Sequence, residues 1–132
     1  MTRARTVRLV LDTTAVASWV RGSIAVGEIL AEINDEHGVA VIPVWCLVEA
    51  GHETAMIDRG RLDLLLAHPA TVVIADDADD WEMLVGLRAL TGRADCASAA
   101  WLALELDVDV MTRHPGWYEK VDGGRLVLEI ED

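Results

Sequence analysis

The chain is poor in cysteine, in positive charge and in long apolar runs, and each shortage argues against a class of protein. Cys46 and Cys96 are the only cysteines in 132 residues, too few for a disulfide framework or a four-cysteine zinc site. We therefore expect a reducing, cytoplasmic setting. The longest apolar run, residues 39–48, is broken by Pro43 and is too short to cross a bilayer.

Acidic residues outnumber basic residues, with 23 Asp and Glu against 11 Lys and Arg and a formal net charge of −12. A protein that coats nucleic acid without sequence preference needs a positive surface to displace counterions from phosphates, so this class is disfavoured. Attraction to anionic membranes is disfavoured for the same reason. The composition still allows binding of metal ions, of a basic partner, or of nucleic acid through a local basic patch.

Several common catalytic motifs are also missing. No glycine-rich loop follows a predicted strand, which argues against dinucleotide-binding and P-loop sites. No serine lies in a nucleophile elbow, and the four histidines lack the paired spacing of zinc sites. The remaining candidates for chemistry are carboxylates at the ends of predicted strands.

Short apolar runs alternate with helical segments along the chain, and hydrophobic residues make up 52% of it. Runs that are apolar on both faces are typical of buried parallel strands. We predict a single domain over residues 1–132 with an α/β fold, three α/β/α layers and a mostly parallel five-stranded sheet. The predicted strands are 8–11, 39–42, 71–74, 108–111 and 126–130, and the predicted helices are 15–21, 23–38, 43–60, 61–67, 76–90 and 95–106.

Three acids lie where a parallel sheet places its ligands, beyond the carboxyl ends of the strands. Asp12 follows the first predicted strand, Glu49 lies in the helix after the second, and Asp95 opens the helix before the fourth. Taken singly, each has an ordinary explanation. Asp12 and Asp95 suit the start of a helix, and Glu49 suits the solvent-exposed edge of an apolar stripe.

The combination of the three acids favours a metal site. Carboxylates that converge at one edge of a sheet repel each other and raise each other's pKa unless a cation neutralises them. Oxygen ligands of this kind suit Mg²⁺ or Mn²⁺. Such a metal activates water and stabilises the charge of a phosphodiester during cleavage. We therefore expect Asp12, Glu49 and Asp95 to bind Mg²⁺ or Mn²⁺.

The same positions resemble the PIN-domain ribonucleases. The stretch 9–15 resembles the opening strand of that family, Val48-Glu49-Ala50 its second acidic position, and 95–100 its third, an Asp followed by a small-residue helix. The stretch 110–116, with Thr112 and His114, resembles the segment that usually carries the fourth acid. The four motifs occur in the family's order and cover nearly the whole chain.

The resemblance implies a PIN fold, dependence on Mg²⁺ or Mn²⁺, and hydrolysis of RNA as an endoribonuclease. It places the metal on Asp12, Glu49 and Asp95, and it completes the catalytic pocket with Thr112 and His114. Many small members are VapC-type toxins that dimerise and are held inactive by an antitoxin. A homodimer, an RNA substrate, an antitoxin partner and no membrane association are therefore expected.

Four residues near these acids are candidates for contacts with RNA, namely Thr13, Arg21, Arg93 and Arg113. His114 stands where the family usually has Asp. Histidine is a poor ligand for Mg²⁺ but does bind Mn²⁺, so it weakens a second metal site, contacts a phosphate or donates a proton. An ordinary turn residue is the remaining interpretation.

Two alternatives remain open from the sequence. One is a catalytically degenerate PIN-fold module that binds partners or assembles, which His114 and the net charge of −12 favour. The other is a nuclease of the same fold that cleaves DNA.

Overall fold

A computed structural model describes residues 5–54 and 58–132, and its centre is a parallel sheet between layers of helices. The strands are β1 (Thr6–Leu11), β2 (Gly38–Pro43), β3 (Thr71–Ile74), β4 (Asp109–Thr112) and β5 (Val127–Glu129). They pair in the order β3-β2-β1-β4-β5, and every pair is parallel. The predicted α/β class, three-layer arrangement and five-stranded sheet are confirmed.

Six α-helices connect these strands in the described part of the chain. They are α1 (Thr13–Val20), α2 (Ile24–Asp35), α3 (Val44–Thr54), α4 (Arg59–Leu66), α5 (Trp81–Thr91) and α6 (Ala94–Leu106). Short 3-10 turns occupy Ala78–Asp80, Pro115–Tyr118 and Asp122–Gly124. Within residues 5–54 and 58–132, no helix has both the length and the apolar character needed to cross a membrane.

Strand β1 shows how one sheet supplies two hydrophobic cores. Its last residues Leu9, Val10 and Leu11 are all buried, but successive side chains of a strand point to opposite faces. Leu9 and Leu11 belong to the core formed with α1, α2 and α4. Val10 belongs to the core formed with α6 and Tyr118. Because both faces are covered here, residues 9–11 show no polar alternation.

The segment after β2 differs from the prediction. The sequence placed Pro43 in the first turn of a helix ending near Gly60, but Pro43 is the last residue of β2 and pairs with Ile74. Proline has no N–H to donate to the ladder, and Pro43 is the residue at which β2 ends. Asp58 is extended and accepts the Arg61 N–H, so a separate helix, α4, begins at Arg59 and contains Gly60. The part of the predicted helix at positions 55–57 lies outside the described residues.

The acidic segment before α5 also differs from the prediction of one helix over 76–90. Asp77 accepts the backbone N–H of Asp79 and caps a 3-10 turn. The α-helix begins only at Trp81 and ends at Thr91, and it is capped by Gly92, whose φ of 77° is left-handed. Glycine is the usual residue in this conformation because it has no Cβ.

The strand order reverses at β1, which has β2 on one side and β4 on the other. The carboxyl ends of β1 and β4 therefore form a switch point, where ligands of open parallel sheets bind. Leu11 pairs with Met111, so Asp12 follows β1 at the level of Thr112, the last residue of β4.

Candidate active site at the carboxyl ends of β1 and β4

Asp12 is fully buried and is held by three donors, two from α1 and one from the 3-10 turn after β4. Its Oδ1 accepts the Ala15 N–H at 3.0 Å, as the N-cap of α1, and the Thr14 hydroxyl at 2.6 Å. Its Oδ2 accepts the Tyr118 hydroxyl at 2.8 Å. Burial raises the pKa of Asp12, and these hydrogen bonds oppose the rise only in part. The helix-cap interpretation is therefore correct, but it accounts for only one of these bonds.

Asp95 lies in the first turn of α6 and is 4% exposed. Its Oδ1 accepts from Arg93 Nε and from the Cys96 N–H, both at 3.0 Å. Its Oδ2 accepts from Arg93 Nη2 at 3.0 Å and from the Thr13 hydroxyl at 2.5 Å. Burial alone would raise the pKa of Asp95, but the Arg93 guanidinium and the other donors outweigh it and lower this pKa.

Thr13 links the two aspartates, because it directly follows Asp12 and donates its hydroxyl to Asp95. Two buried cysteines, Cys46 and Cys96, interact electrostatically with both carboxylates. Burial is the main reason that the pKa of Cys46 is raised and that of Cys96 is raised to about 12, and both aspartates add to each rise. Thiols this difficult to ionise are not nucleophiles. The chemistry of the site therefore comes from its carboxylates.

Glu49, the third predicted metal ligand, is exposed on α3. Its charge reaches the site only weakly. The hydrogen bond to Asp95 is the main reason that the pKa of Arg93 is raised, and Glu49 makes a smaller electrostatic contribution. Among residues 5–54 and 58–132, no three His, Cys, Asp or Glu side chains are grouped to hold a metal ion. The structure thus brings Asp12 and Asp95 together, while the metal role of all three acids stays a prediction.

Thr112 and His114, the other predicted pocket residues, take different positions. Thr112 is buried, lies 3.3 Å from the Thr14 hydroxyl and accepts the His114 N–H at 3.0 Å. It also helps to lower the pKa of Asp12. The His114 side chain is exposed, and its ring stacks on Trp117 with 4.3 Å between centroids and 12° between planes. Thr112 therefore belongs to the pocket, and His114 lies at its rim.

The predicted RNA contacts are only partly available on the surface. Thr13 is 1% exposed and its hydroxyl is donated to Asp95, so a contact between Thr13 and RNA is not supported. Arg113 donates to Ser18 and pairs with Asp132. Arg21 is exposed at the end of α1. Arg93, the remaining candidate, is the counter-ion of Asp95 rather than a free surface cation.

Two aromatic residues of the site were not predicted from the sequence. Tyr118 donates its hydroxyl to Asp12 across 106 positions of the chain. Burial, followed by the charge of Asp12, raises the pKa of Tyr118, so its phenol stays a neutral donor. Trp117 lies 4.5 Å from the guanidinium carbon of Arg93, measured to its ring centroid. Neither contact has a signal in the sequence, because each joins the turn after β4 to another part of the fold, Asp12 after β1 or Arg93 before α6.

The donors of the site suit a hard cation in kind. Mg²⁺ is often held by one or two carboxylates, with water and substrate phosphates as its other ligands. Asp12 and Asp95 supply two carboxylates, and Thr13 holds Asp95 beside the segment that follows Asp12. All four of their oxygens accept protein hydrogen bonds, and Arg93 supplies positive charge to Asp95. The pair therefore matches the cation in ligand type, while protein donors occupy each of its oxygens.

The fold and the site together define an α/β protein with two buried carboxylates at the switch point of a parallel sheet. A crystal structure of the protein PAE2754 from Pyrobaculum aerophilum is similar, with a TM-score of 0.65 and 16% sequence identity. The similarity covers 94% of this chain and 90% of that chain, and eight solved chains match in all. No protein-family model and no curated protein matches the sequence. At this identity the likeness shows the fold alone.

Proposed function

We propose that this protein is a metal-dependent nuclease of PIN type that hydrolyses phosphodiester bonds of RNA. The observation that carries the proposal is the pair of buried carboxylates, Asp12 and Asp95, at the switch point of the sheet. Their pKa values are shifted in opposite directions, Asp12 upward and Asp95 downward. Neighbouring titratable groups with such opposed environments are typical of active sites.

In this proposal Asp12 and Asp95 hold Mg²⁺ or Mn²⁺, and Glu49 adds negative charge from the rim. The bound metal would lower the pKa of a water molecule and stabilise the leaving oxygen. The chain's own residues orient the carboxylates. Tyr118 and Thr14 fix the two oxygens of Asp12, and Thr13 fixes Oδ2 of Asp95.

The substrate would enter beside His114, whose exposed ring stands on Trp117 at the rim. Its imidazole can contact a phosphate or donate a proton to a leaving oxygen. The backbone of His114 is fixed by Thr112, which also supports Asp12. Thr112 therefore links His114 at the rim to the buried carboxylate of Asp12.

Cleavage of a short fluorescent single-stranded RNA, measured in Mn²⁺, in Mg²⁺ and in EDTA, tests the proposal. Asp12→Asn and Asp95→Asn should each remove metal-dependent cleavage while circular dichroism shows a folded protein. Asp109→Asn is the matched control, because Asp109 is exposed at the amino end of β4, away from the site. Cleavage by either variant at the wild-type rate would reject the assignment. A single-stranded DNA of the same sequence tests the DNA-directed alternative.

We also propose that the protein is the toxin of a cytoplasmic toxin–antitoxin pair and acts as a homodimer. An exposed apolar face supports a protein partner. Trp45, Trp81 and Val85 are 54%, 61% and 60% exposed, and they line a cavity of about 320 Å³ between α3, α5 and α6. Apolar faces of this kind commonly mark protein interfaces. Light scattering of the purified protein measures the dimer, and co-expression with the product of an adjacent gene tests the antitoxin.

A second candidate function is a non-catalytic binding module of the same fold. The ion pair between Arg93 and Asp95 favours it, because a carboxylate with a permanent protein counter-ion needs no metal. This alternative predicts that Mn²⁺ does not raise the melting temperature and that RNA is not cleaved. The nuclease proposal predicts a metal-dependent rise, since a ligand that binds only the folded state stabilises it.

A further inference from the structure

Arg93 closes the candidate metal site from the surface. Its Nε and Nη2 atoms each donate to one oxygen of Asp95 at 3.0 Å. The Asp95 side chain is 4% exposed, but that of Arg93 is 35% exposed. We propose that Arg93 is an internal competitor of the divalent cation, so that metal binds Asp95 only when this arginine leaves. The inference rests on the metal site of the proposed function.

The hydrogen bonds of Asp95 explain why the two cations exclude each other. A carboxylate oxygen has two lone pairs in its plane, and each oxygen of Asp95 accepts two donors. Oδ1 accepts from Arg93 and the Cys96 N–H, and Oδ2 accepts from Arg93 and the Thr13 hydroxyl. A metal ion therefore has to displace one of these donors.

Arg93 is the donor that can leave at the lowest cost. The Cys96 N–H belongs to the backbone of α6, and Thr13 is buried at the start of α1. The Cys96 N–H cannot withdraw without disturbing α6, and the Thr13 hydroxyl, 1% exposed, has no solvent to turn to. Arg93 reaches Asp95 from the extended residue before α6, with about a third of its side chain in solvent. Rotation of this side chain opens two positions on Asp95 while the helices stay in place.

The surroundings of Arg93 hold it in the closed position but offer it another partner. Its guanidinium packs over Trp117 at 4.5 Å, and Trp117 is itself stacked on His114. A cation over an indole face is attracted by the ring electrons. Glu49, exposed on α3, is near enough to interact electrostatically with Arg93. An Arg93 side chain released from Asp95 is therefore still attracted by the carboxylate of Glu49.

Calorimetric titration of Mn²⁺ into wild type, Arg93→Gln, Arg93→Lys and Arg88→Gln tests this competition. Arg93→Gln should bind Mn²⁺ on the order of tenfold more tightly, because a neutral amide cannot replace the charged fork. Arg93→Lys should lie between wild type and Arg93→Gln. Arg88→Gln removes an exposed charge from α5 and should leave the affinity unchanged.

Melting temperatures provide a second readout without catalysis. In EDTA, Arg93→Gln should melt below wild type, because Asp95 is then buried without a counter-ion. Mn²⁺ should raise the melting temperature of Arg93→Gln by more than that of wild type. The double variant with Asp95→Asn should lose this gain, which would locate the ion at Asp95.

Two results separate this inference from the proposed function. Equal Mn²⁺ affinity in wild type and both Arg93 variants would overturn the competition and leave the metal site intact. Absence of Mn²⁺ binding from every variant, including the one in which Asp95 is released, would overturn both. If Arg93→Gln fails to fold, Arg93→Lys decides, since it must still bind Mn²⁺ more tightly than wild type.

Discussion

The hydrogen bond from Tyr118 to Asp12 is predicted to stabilise the fold more at pH 8 than in acid. Tyr118→Phe removes one hydroxyl from a fully buried position and leaves Oδ2 of Asp12 without its donor. A hydrogen bond to a charged group contributes about 2 kcal/mol, and one between neutral groups about 1 kcal/mol. The loss should therefore be about 2 kcal/mol where Asp12 is ionised and about 1 kcal/mol where it is protonated.

The pH dependence follows from the pKa of Asp12, which burial raises above its ordinary value of 3.8. A carboxyl group that holds its proton more tightly in the folded state makes folding less favourable as pH rises from the unfolded pKa through the folded pKa. The Tyr118 hydrogen bond lowers the pKa of Asp12, so Tyr118→Phe should raise it further. The variant should then lose more stability on going from acid to neutral pH than wild type does.

Urea unfolding of wild type and Tyr118→Phe at pH 8 and at pH 3, below the ordinary Asp pKa of 3.8, measures this difference. A loss of 2 kcal/mol corresponds to a fall in melting temperature of about 8 °C for a chain of this size. In an Asp12→Asn background the same substitution should cost about 1 kcal/mol at both pH values, as a double-mutant cycle requires. An equal loss for the single variant at both pH values would refute the reasoning.

Two further predictions concern the surface. Asp132→Ala should lower the melting temperature near neutral pH, because Asp132 pairs with Arg113 and accepts from Ser23 and Ala25. These contacts, the Ser23 hydrogen bond foremost, lower the pKa of Asp132 to about 2. The difference in melting temperature between wild type and Asp132→Ala should therefore persist above pH 4 and vanish as pH falls through 2. A difference in melting temperature that persists below pH 2 would contradict this. Val85→Asp should convert the proposed dimer into a monomer in light scattering, because it introduces a charge into the exposed apolar face. Ile24→Asp is the control for the dimer test, since Ile24 is 70% exposed on α2, and a dimer unaffected by Val85→Asp would place the interface elsewhere.

The fold was predictable because each strand repeats the same simple pattern. Residues 71–74 were predicted as a strand and form β3 with the same ends, because a short β-branched run is bounded by turn residues. The end of β2 was missed at Pro43, where the preference of proline for the start of a helix competes with its tolerance at the end of a strand. Local preference does not distinguish the start of a helix from the end of a strand. The pairing of Pro43 with Ile74 of β3 places it in the strand.

Of the candidate site, the sequence predicted the two buried carboxylates but not the contacts that hold them. Asp12 and Asp95 were found because each stands at the end of a strand or the start of a helix, and these positions are visible in the sequence. The partners that set their pKa values were not. Arg93 is only two positions from Asp95, yet the sequence does not show whether its side chain turns inward or outward. Tyr118 reaches Asp12 only because β4 lies beside β1.

The central position of β1 has a consequence for the order in which the protein becomes complete during synthesis. Strand β1 needs β4 as a neighbour, and the site needs Asp95, Thr112 and Tyr118, which follow Asp12 by 83, 100 and 106 positions. Contacts this distant along the chain form late, because closing the long intervening loop costs entropy. A nascent chain therefore carries Asp12 without these partners until residues 95–118 have been synthesised. If the proposed nuclease activity is correct, an unfinished chain lacks the complete site and does not cleave the RNA that surrounds the ribosome.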